Sequence, residues 1–183
     1  GIARAGNVIG GGDWAVDRIV PDCIRAWAKG NTVDIRNPNA TRPWQHVLEP
    51  LSGYLLLAAN LAQNECFHGD AYNFGPPADQ NHSVAQLIDE MSCYWDSVRW
   101  NDVSQDQTHL HEAGLLKLNC DKAFFDLQWR PALQFKHTVR MTVEWYKQYY
   151  QCESNSIYDL TVSQIDEYVK LATSKDLIWT KND

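Results

Sequence analysis

The stretch RNPNATRPWQHV, residues 36–47, carries two arginines six residues apart, and the second runs straight into Pro43-Trp44. Asn-Pro initiates turns, and the residue before each proline is pushed away from helix. Arg36 and Arg42 are therefore expected to leave the two ends of one loop. A guanidinium fork matches phosphate oxygens in bidentate geometry and stays charged when partly buried, so the chemistry on offer is capture of a small anion. Pairing of Arg42 with a surface carboxylate such as Glu49 is the other reading. His109, His111 and Glu112 are close enough in sequence to suggest a metal, and an i, i+2 pair on a strand faces one side, but nothing else completes a coordination set. A structural or phosphate-edge role suits His111 better. The five cysteines (Cys23, Cys66, Cys93, Cys120, Cys152) are widely spaced without a C-x-x-C pair. That indicates neither a zinc site nor a disulfide framework and fits a reducing cytoplasm.

The formal charge of −7 is uneven: residues 1–42 hold six Lys+Arg against four Asp+Glu, and the rest ten against nineteen. An acidic chain repels a polyanion, which disfavours nucleic acid, while a local basic stretch can still hold one small anion, and a diphosphate is the right size. The longest apolar run, YLLLAANLA at 54–62, is far short of a membrane span. Eight Trp and eight Tyr in 183 residues imply an aromatic core or a site that stacks a flat ligand. Trp14, Trp44 and Trp100 are the candidates for stacking, with burial in the core the commoner fate of each.

These residues must be positioned by alternating strands and helices. Residues 2–9 read as a short strand, with the chain starting inside it, and IVPDCIRAWAKG as a helix with Pro21 in its first turn and Gly30 as its stop. TVDIR reads as a strand, EPLSGYLLLAANLAQ as a mostly buried helix, and DAYNFGPP as a strand broken at Gly-Pro-Pro. Ser83 with Gln86 makes a capping box ahead of Val84, Leu87, Ile88, Met91 and Trp95 at helical spacing. SVRWNDV is a further strand and CDKAFFDL a short helix. Phe135, Val139, Val143, Tyr146 and Tyr150 form the stripe of a longer helix, and Thr161 with Gln164 caps a last one. No repeat, low-complexity segment or linker divides the chain, and the pattern is α/β. No G-x-G-x-x-G loop occurs, GGGDW at 10–14 has the wrong spacing for one, and no tyrosine is followed four positions later by lysine.

The runs RAGNVIGGGDWAVDRIVPD, IRNPNATRPWQHVLEPLSGYLLLA, AYNFGP and HEAGLLKLN resemble the C-terminal half of the extended short-chain dehydrogenase/reductase family, in its branch of CDP-sugar 4,6-dehydratases. The likeness extends over most of residues 3–150. It implies the C-terminal substrate-binding part of a Rossmann-type α/β fold, with residues 1–183 forming one nucleotide-sugar-binding portion. The N-terminal NAD-binding half, which carries the catalytic threonine, the acid/base pair, the Tyr-Lys pair and the glycine loop, would be a partner absent from this chain. It further implies NAD as cofactor, CDP-glucose as substrate, and oxidation at C4, loss of water across C5 and C6 and return of hydride to C6. The whole would be a cytoplasmic homo-oligomer engaging neither nucleic acid nor membrane. The contrasting reading is a catalytically silent module that binds a nucleotide sugar or a partner protein.

Carried over residue by residue, the resemblance makes Arg42 the diphosphate clamp and places Arg36 where a strand meets the nucleoside. Asn7 becomes a substrate amide, Arg18 the basic residue before the IVP helix, and Asn73 a ligand-side asparagine. A turn asparagine, a solvated arginine and a strand-end turn are the respective alternatives. Base selectivity falls between Thr32 and Arg42. Two departures affect turns: Asn119 stands where the pattern has aspartate, and Gln128 where it has glycine.

Overall fold

The computed structural model describes residues 1–105, 114–151 and 155–181. Its elements run β1 (Ile2–Ala5), β2 (Val8–Ile9), α1 (Ile19–Trp27), β3 (Val33–Ile35), β4 (Thr41–Arg42), β5 (Gln45–His46), α2 (Leu48–Gln63), β6 (Ala71–Phe74), β7 (His82–Ser83), α3 (Val84–Met91), β8 (Trp100–Asp102), α4 (Asp121–Asp126), α5 (Phe135–Gln151) and α6 (Asn155–Ser174). The strands form four pairs. β1 with β6, β2 with β5 and β3 with β8 are parallel, and β4 with β7 is antiparallel. Parallel partners far apart in sequence require crossover connections, and here helices supply them, so the expected α/β class is present.

Three apolar clusters hold the elements together. Val20, Ile24 and Trp27 of α1 meet Leu87, Ile88, Val139, Val143 and Tyr146 of α3 and α5. Leu57, Tyr72, Phe74 and Trp129 join α2 and β6 to the segment after α4. Met141, Tyr168 and Ala172 join α5 to α6. Helix signals in the sequence act as expected at several ends. Ser83 and Gln86 make a reciprocal capping box on α3. Gly30, at φ 72, ends α1 in a turn where Asn31 N–H reaches Ala26 O at 2.9 Å, the 6→1 bond of a Schellman motif.

Four expectations need correction. The strand over 2–9 is two strands, because Gly6-Asn7 interrupts it with Asn7 in the left-handed region at φ 44. Helix α6 begins at Asn155 and not at Thr161. The Thr161 hydroxyl bonds back to Ile157 O at 2.8 Å and accepts the Trp145 indole N–H at 2.9 Å, so it serves mid-helix packing instead of capping. Helix α2 is buried on one face only, through Glu49, Pro50, Ser52, Gly53 and Leu57, while Leu51 and Leu55 are 45% and 73% exposed. No described element covers the opposite face. Finally, Trp14 is 38% exposed, resting against Tyr146 and Tyr149 instead of entering the core; Trp44 is buried and Trp100 half-buried.

The two departures in the turns are both accommodated. Asn119 Oδ1 accepts Asp121 N–H at 3.0 Å ahead of α4, as an aspartate would. Gln128 holds the glycine-type conformation at φ 51. Cys23, Cys66, Cys93 and Cys120 are free thiols; Cys152 lies outside the described residues.

Candidate functional site

The chain leaves a cavity of about 540 Å³ between the β1–β2 turn, the loop from Gly10 to Arg18, the start of α1, and the β3–β4 segment. Asn7, Arg18, Arg36 and Arg42 all border it. Asn73 does not: its amide donates to Asn119 O at 2.9 Å, tying β6 to the segment before α4. His109, His111 and Glu112 lie outside the described residues.

Each bordering group is fixed by local structure. Arg42 is 8% exposed, and its Nη1 donates to Thr41 O at 2.9 Å. Its strand β4 is paired with β7, and the Trp44 indole N–H donates to His82 O at 3.0 Å across that pair. The Arg-Pro-Trp run thus rivets a buried guanidinium to two strands. Glu49 is not its surface partner, because that carboxylate lies buried among Ala132, Leu133 and Tyr168. Arg36 opens the loop that Arg42 closes, as its spacing implied, and its side chain is exposed.

Arg18 Nη1 pairs with Asp13 Oδ2 at 3.1 Å, and Asp13 Oδ1 accepts Ala15 N–H at 3.0 Å. The loop carrying this pair is pinned from outside. The Tyr146 hydroxyl donates to Asp13 O at 2.6 Å, and Arg25 donates to Trp14 O and Ala15 O at 2.8 and 3.1 Å. The glycine trio makes the packing possible. A Cβ on Gly11 would sit 2.0 Å from the Trp145 ring, and Gly12 turns at φ 80.

Arg18 is also the N-cap of α1 and offers no side-chain cap to it. Pro21 lacks an N–H, so the free donors of the first turn are the backbone groups of Ile19 and Val20, which border the cavity. The positive end of the helix dipole adds to the three guanidinium groups of the lining, against four aspartates of which Asp13 and Asp22 are already paired with Arg18 and Arg25. The arrangement suits a compact polyanion, and Asn7 adds an amide that donates or accepts.

Several groups escaped the sequence reading. Gln45 is buried beneath the site, and its Nε2 donates to Gly6 O at 2.9 Å and Phe74 O at 2.8 Å, locking together the ends of β1 and β6 beside Asn7. Asp13, Asp17, Asp22 and Asp34 border the cavity; their only signal was four carboxylates set within the net cationic stretch. Burial drives the His46 pKa down to about 4 and the Glu49 carboxyl up to about 7, the latter against the lowering pull of its N–H donors and Lys175. Neither is in the cavity lining.

No family model matches the chain. It is 40% identical over 171 residues, 93% of its length, to CDP-glucose 4,6-dehydratase of Salmonella typhimurium, of which it covers 46%. Among solved structures it superposes with a TM-score of 0.68 on UDP-glucuronic acid 4-epimerase from Bacillus cereus, 18% identical, covering 81% of this chain and 45% of that one. With dTDP-glucose 4,6-dehydratase from Bacillus anthracis the TM-score is 0.60 at 14% identity, over 80% and 44% of the two chains. The chain thus spans about half the length of the relatives it matches, and its fold is that of part of an extended short-chain dehydrogenase/reductase.

Proposed function

We propose that this partial extended short-chain dehydrogenase fold is the nucleotide-sugar-binding portion of a CDP-glucose 4,6-dehydratase, a lyase that yields CDP-4-dehydro-6-deoxyglucose. The observation that carries the reading is the gathering of Arg18, Arg36, Arg42, Asn7 and the α1 N-terminus around one cavity, in a chain 40% identical to an enzyme of that name. Arg42 clamps the diphosphate, with Arg18 and the Ile19 and Val20 N–H groups at its other oxygens. Arg36 lies toward the nucleoside.

The cofactor implied by the relatives is NAD, which supplies reversible hydride transfer when bound. The described residues do not fit it. The chain's one glycine cluster is filled by the Trp145 indole and cannot cradle a pyrophosphate, and no dinucleotide loop occurs elsewhere in the sequence. We therefore assign NAD and the reacting side chains to a Rossmann half outside these residues, and to this chain the binding and orientation of the sugar nucleotide. The exposed Leu51 and Leu55 of α2, the 53% exposed Ile2, and the pairing of β1, among the described residues, with β6 alone supply the apolar face and open strand edge on which that half would continue the sheet. Assembly of the complete protein into a homo-oligomer, and its place in the cytoplasm, belong to the same proposal. Among the described residues no helix is long and apolar enough to cross a membrane.

The test is calorimetry of CDP and CDP-glucose binding to the full-length protein and its Arg42→Ala and Arg42→Lys variants. Loss of a charge-assisted bond costs about 1.5–3 kcal/mol, or roughly 10- to 150-fold in affinity, with NAD affinity unchanged. The lysine variant recovers only part, because a point charge does not reproduce the fork. An unchanged affinity for CDP overturns the assignment. A protein that binds CDP-glucose without consuming it, with NAD present, would favour the silent binding module.

A further inference from the structure

We propose that Asp34 selects the base of the bound nucleotide, its carboxylate accepting the exocyclic amino group of cytosine while Arg36 donates to the acceptor edge beside it. The proposal rests on the nucleotide-sugar reading of the cavity. Side chains alternate along a strand, and β3 shows this: Ile35 is buried at 4% exposure, while Asp34 and Arg36 on either side of it are exposed. Asp34 and Arg36 therefore share a face, about 6.6 Å apart along the strand, and both border the cavity. One is an obligate acceptor at neutral pH and the other an obligate donor.

Four carboxylates border the cavity, and three of them are poorly suited to reading a base. Asp13 is engaged by Ala15 N–H and Arg18, and Asp22 is paired with Arg25. Asp17 sits in the loop before α1 at φ 60, with no strand to fix it. Asp34 is different, because its neighbour in register on β8 is Asn101, whose Nδ2 donates to Asp34 Oδ1 at 3.0 Å. That bond orients the carboxylate and uses one oxygen, leaving the acceptor capacity of the other for a ligand.

Cytosine presents a 4-amino donor next to the N3 and O2 acceptors. A carboxylate accepting from the amino group is an established mode of reading this base. Uracil has O4 in place of the amino group and N3–H in place of the bare nitrogen. Asp34 would then face an oxygen with no hydrogen between them, and Arg36 a donor. An acceptor–donor pair on one strand face thus favours cytosine twice and opposes uracil twice.

The experiment measures CDP and UDP affinities of the full-length protein and of Asp34→Ala, Asp34→Asn and Asn101→Ala, with inorganic pyrophosphate as the probe without a base. The native protein is expected to prefer CDP. Asp34→Ala should reduce the CDP-over-UDP ratio at least about tenfold and leave pyrophosphate affinity unchanged. Asp34→Asn, whose amide can turn a donor toward O4, should shift the ratio furthest, and Asn101→Ala should shift it partway. Should the alanine variant fail to fold, the asparagine variant retains the volume and the same readout. A native preference for CDP that survives both Asp34 substitutions overturns the proposal, as does a native protein with no preference. Failure of the nucleotide-sugar reading looks different: CDP and UDP would then bind the native protein no better than pyrophosphate.

Discussion

Replacing Glu49 by glutamine should remove a pH dependence of stability that runs opposite to the usual sense for a carboxylate. Glu49 is 1% exposed. Its Oε1 accepts Leu133 N–H at 2.6 Å, and its Oε2 accepts Ala132 N–H at 3.1 Å and the Tyr168 hydroxyl at 2.9 Å. These bonds favour the charge, but burial outweighs them and moves the carboxyl from an ordinary 4.5 to about 7. A second hydrogen-bond pattern is open to the protonated form. Tyr168 also lies 2.9 Å from Ser52 Oγ, so its hydroxyl can turn to Ser52 and accept from a protonated Glu49. Because the folded pKa is raised, the contribution to stability is complete below pH 4.5 and is lost as pH rises through about 7. The rise from 4.5 to about 7 corresponds to about 3 kcal/mol.

The total stability conceals this effect. His46, lowered by burial to about 4, contributes stability present above pH 6.5 and lost as pH falls toward 4, which nearly cancels the Glu49 slope over the same window. The difference between native protein and Glu49→Gln isolates the carboxylate. Urea unfolding of the full-length protein at intervals from pH 4 to 8 should show the native protein ahead by about 1–3 kcal/mol at low pH, since the amide sets a donor against one of two backbone N–H groups. That lead should shrink by about 3 kcal/mol toward pH 8. A difference that stays flat across the window, or grows as pH rises, would mean that the carboxylate remains ionised and that hydrogen bonding, not burial, dominates.

Other expectations concern single positions. Gln128→Gly should raise stability by about 0.5–1 kcal/mol, since the native residue sits at φ 51 with its side chain exposed; a lower denaturation midpoint would contradict this. Gly53→Ala should cost about 1–3 kcal/mol, because the new Cβ would lie 2.2 Å from the Phe74 ring, and an unchanged melt would show that α2 can move off β6. Ser83→Ala should cost about 1 kcal/mol through the lost cap on α3, measured the same way. Residues 1–183 expressed alone should bind an apolar dye strongly at the α2 face and resist concentration. A monomeric product with a cooperative melt and no dye binding would count against the assigned Rossmann half.

Elements whose signals are local were legible in the sequence. The capping box of α3, the stop at Gly30 and the loop between Arg36 and Arg42 depend on residues within a few positions of one another, and each is where its chemistry placed it. Errors arose where the deciding contact is remote. Thr161 and Gln164 have the spacing of a cap, but Trp145 occupies the Thr161 hydroxyl and Gln164 donates to Met141 O at 2.8 Å; both partners lie on another helix. The glycine trio likewise has no meaning in its own neighbourhood, since the Trp145 ring that excludes a Cβ at Gly11 is more than a hundred residues away. The candidate site divides along the same line. Its arginines were legible because their charge stands out in an acidic chain, whereas Asp34 was not, because its orientation comes from Asn101 on a distant strand.

Helix α2 reverses that lesson, for there the sequence pattern exceeds what the described structure buries. EPLSGYLLLAANLAQ has apolar residues on both faces, which is the pattern of a helix enclosed on both sides. One face packs on β6 and Trp129, while Leu51 and Leu55 stand in solvent; among the described residues β1 pairs with β6 and with no other strand. An exposed apolar helix face and an open parallel edge are each costly in water, and parallel sheets are rarely left uncovered. The disagreement therefore carries information. On the proposed reading it marks the face on which the Rossmann half assigned above would pack.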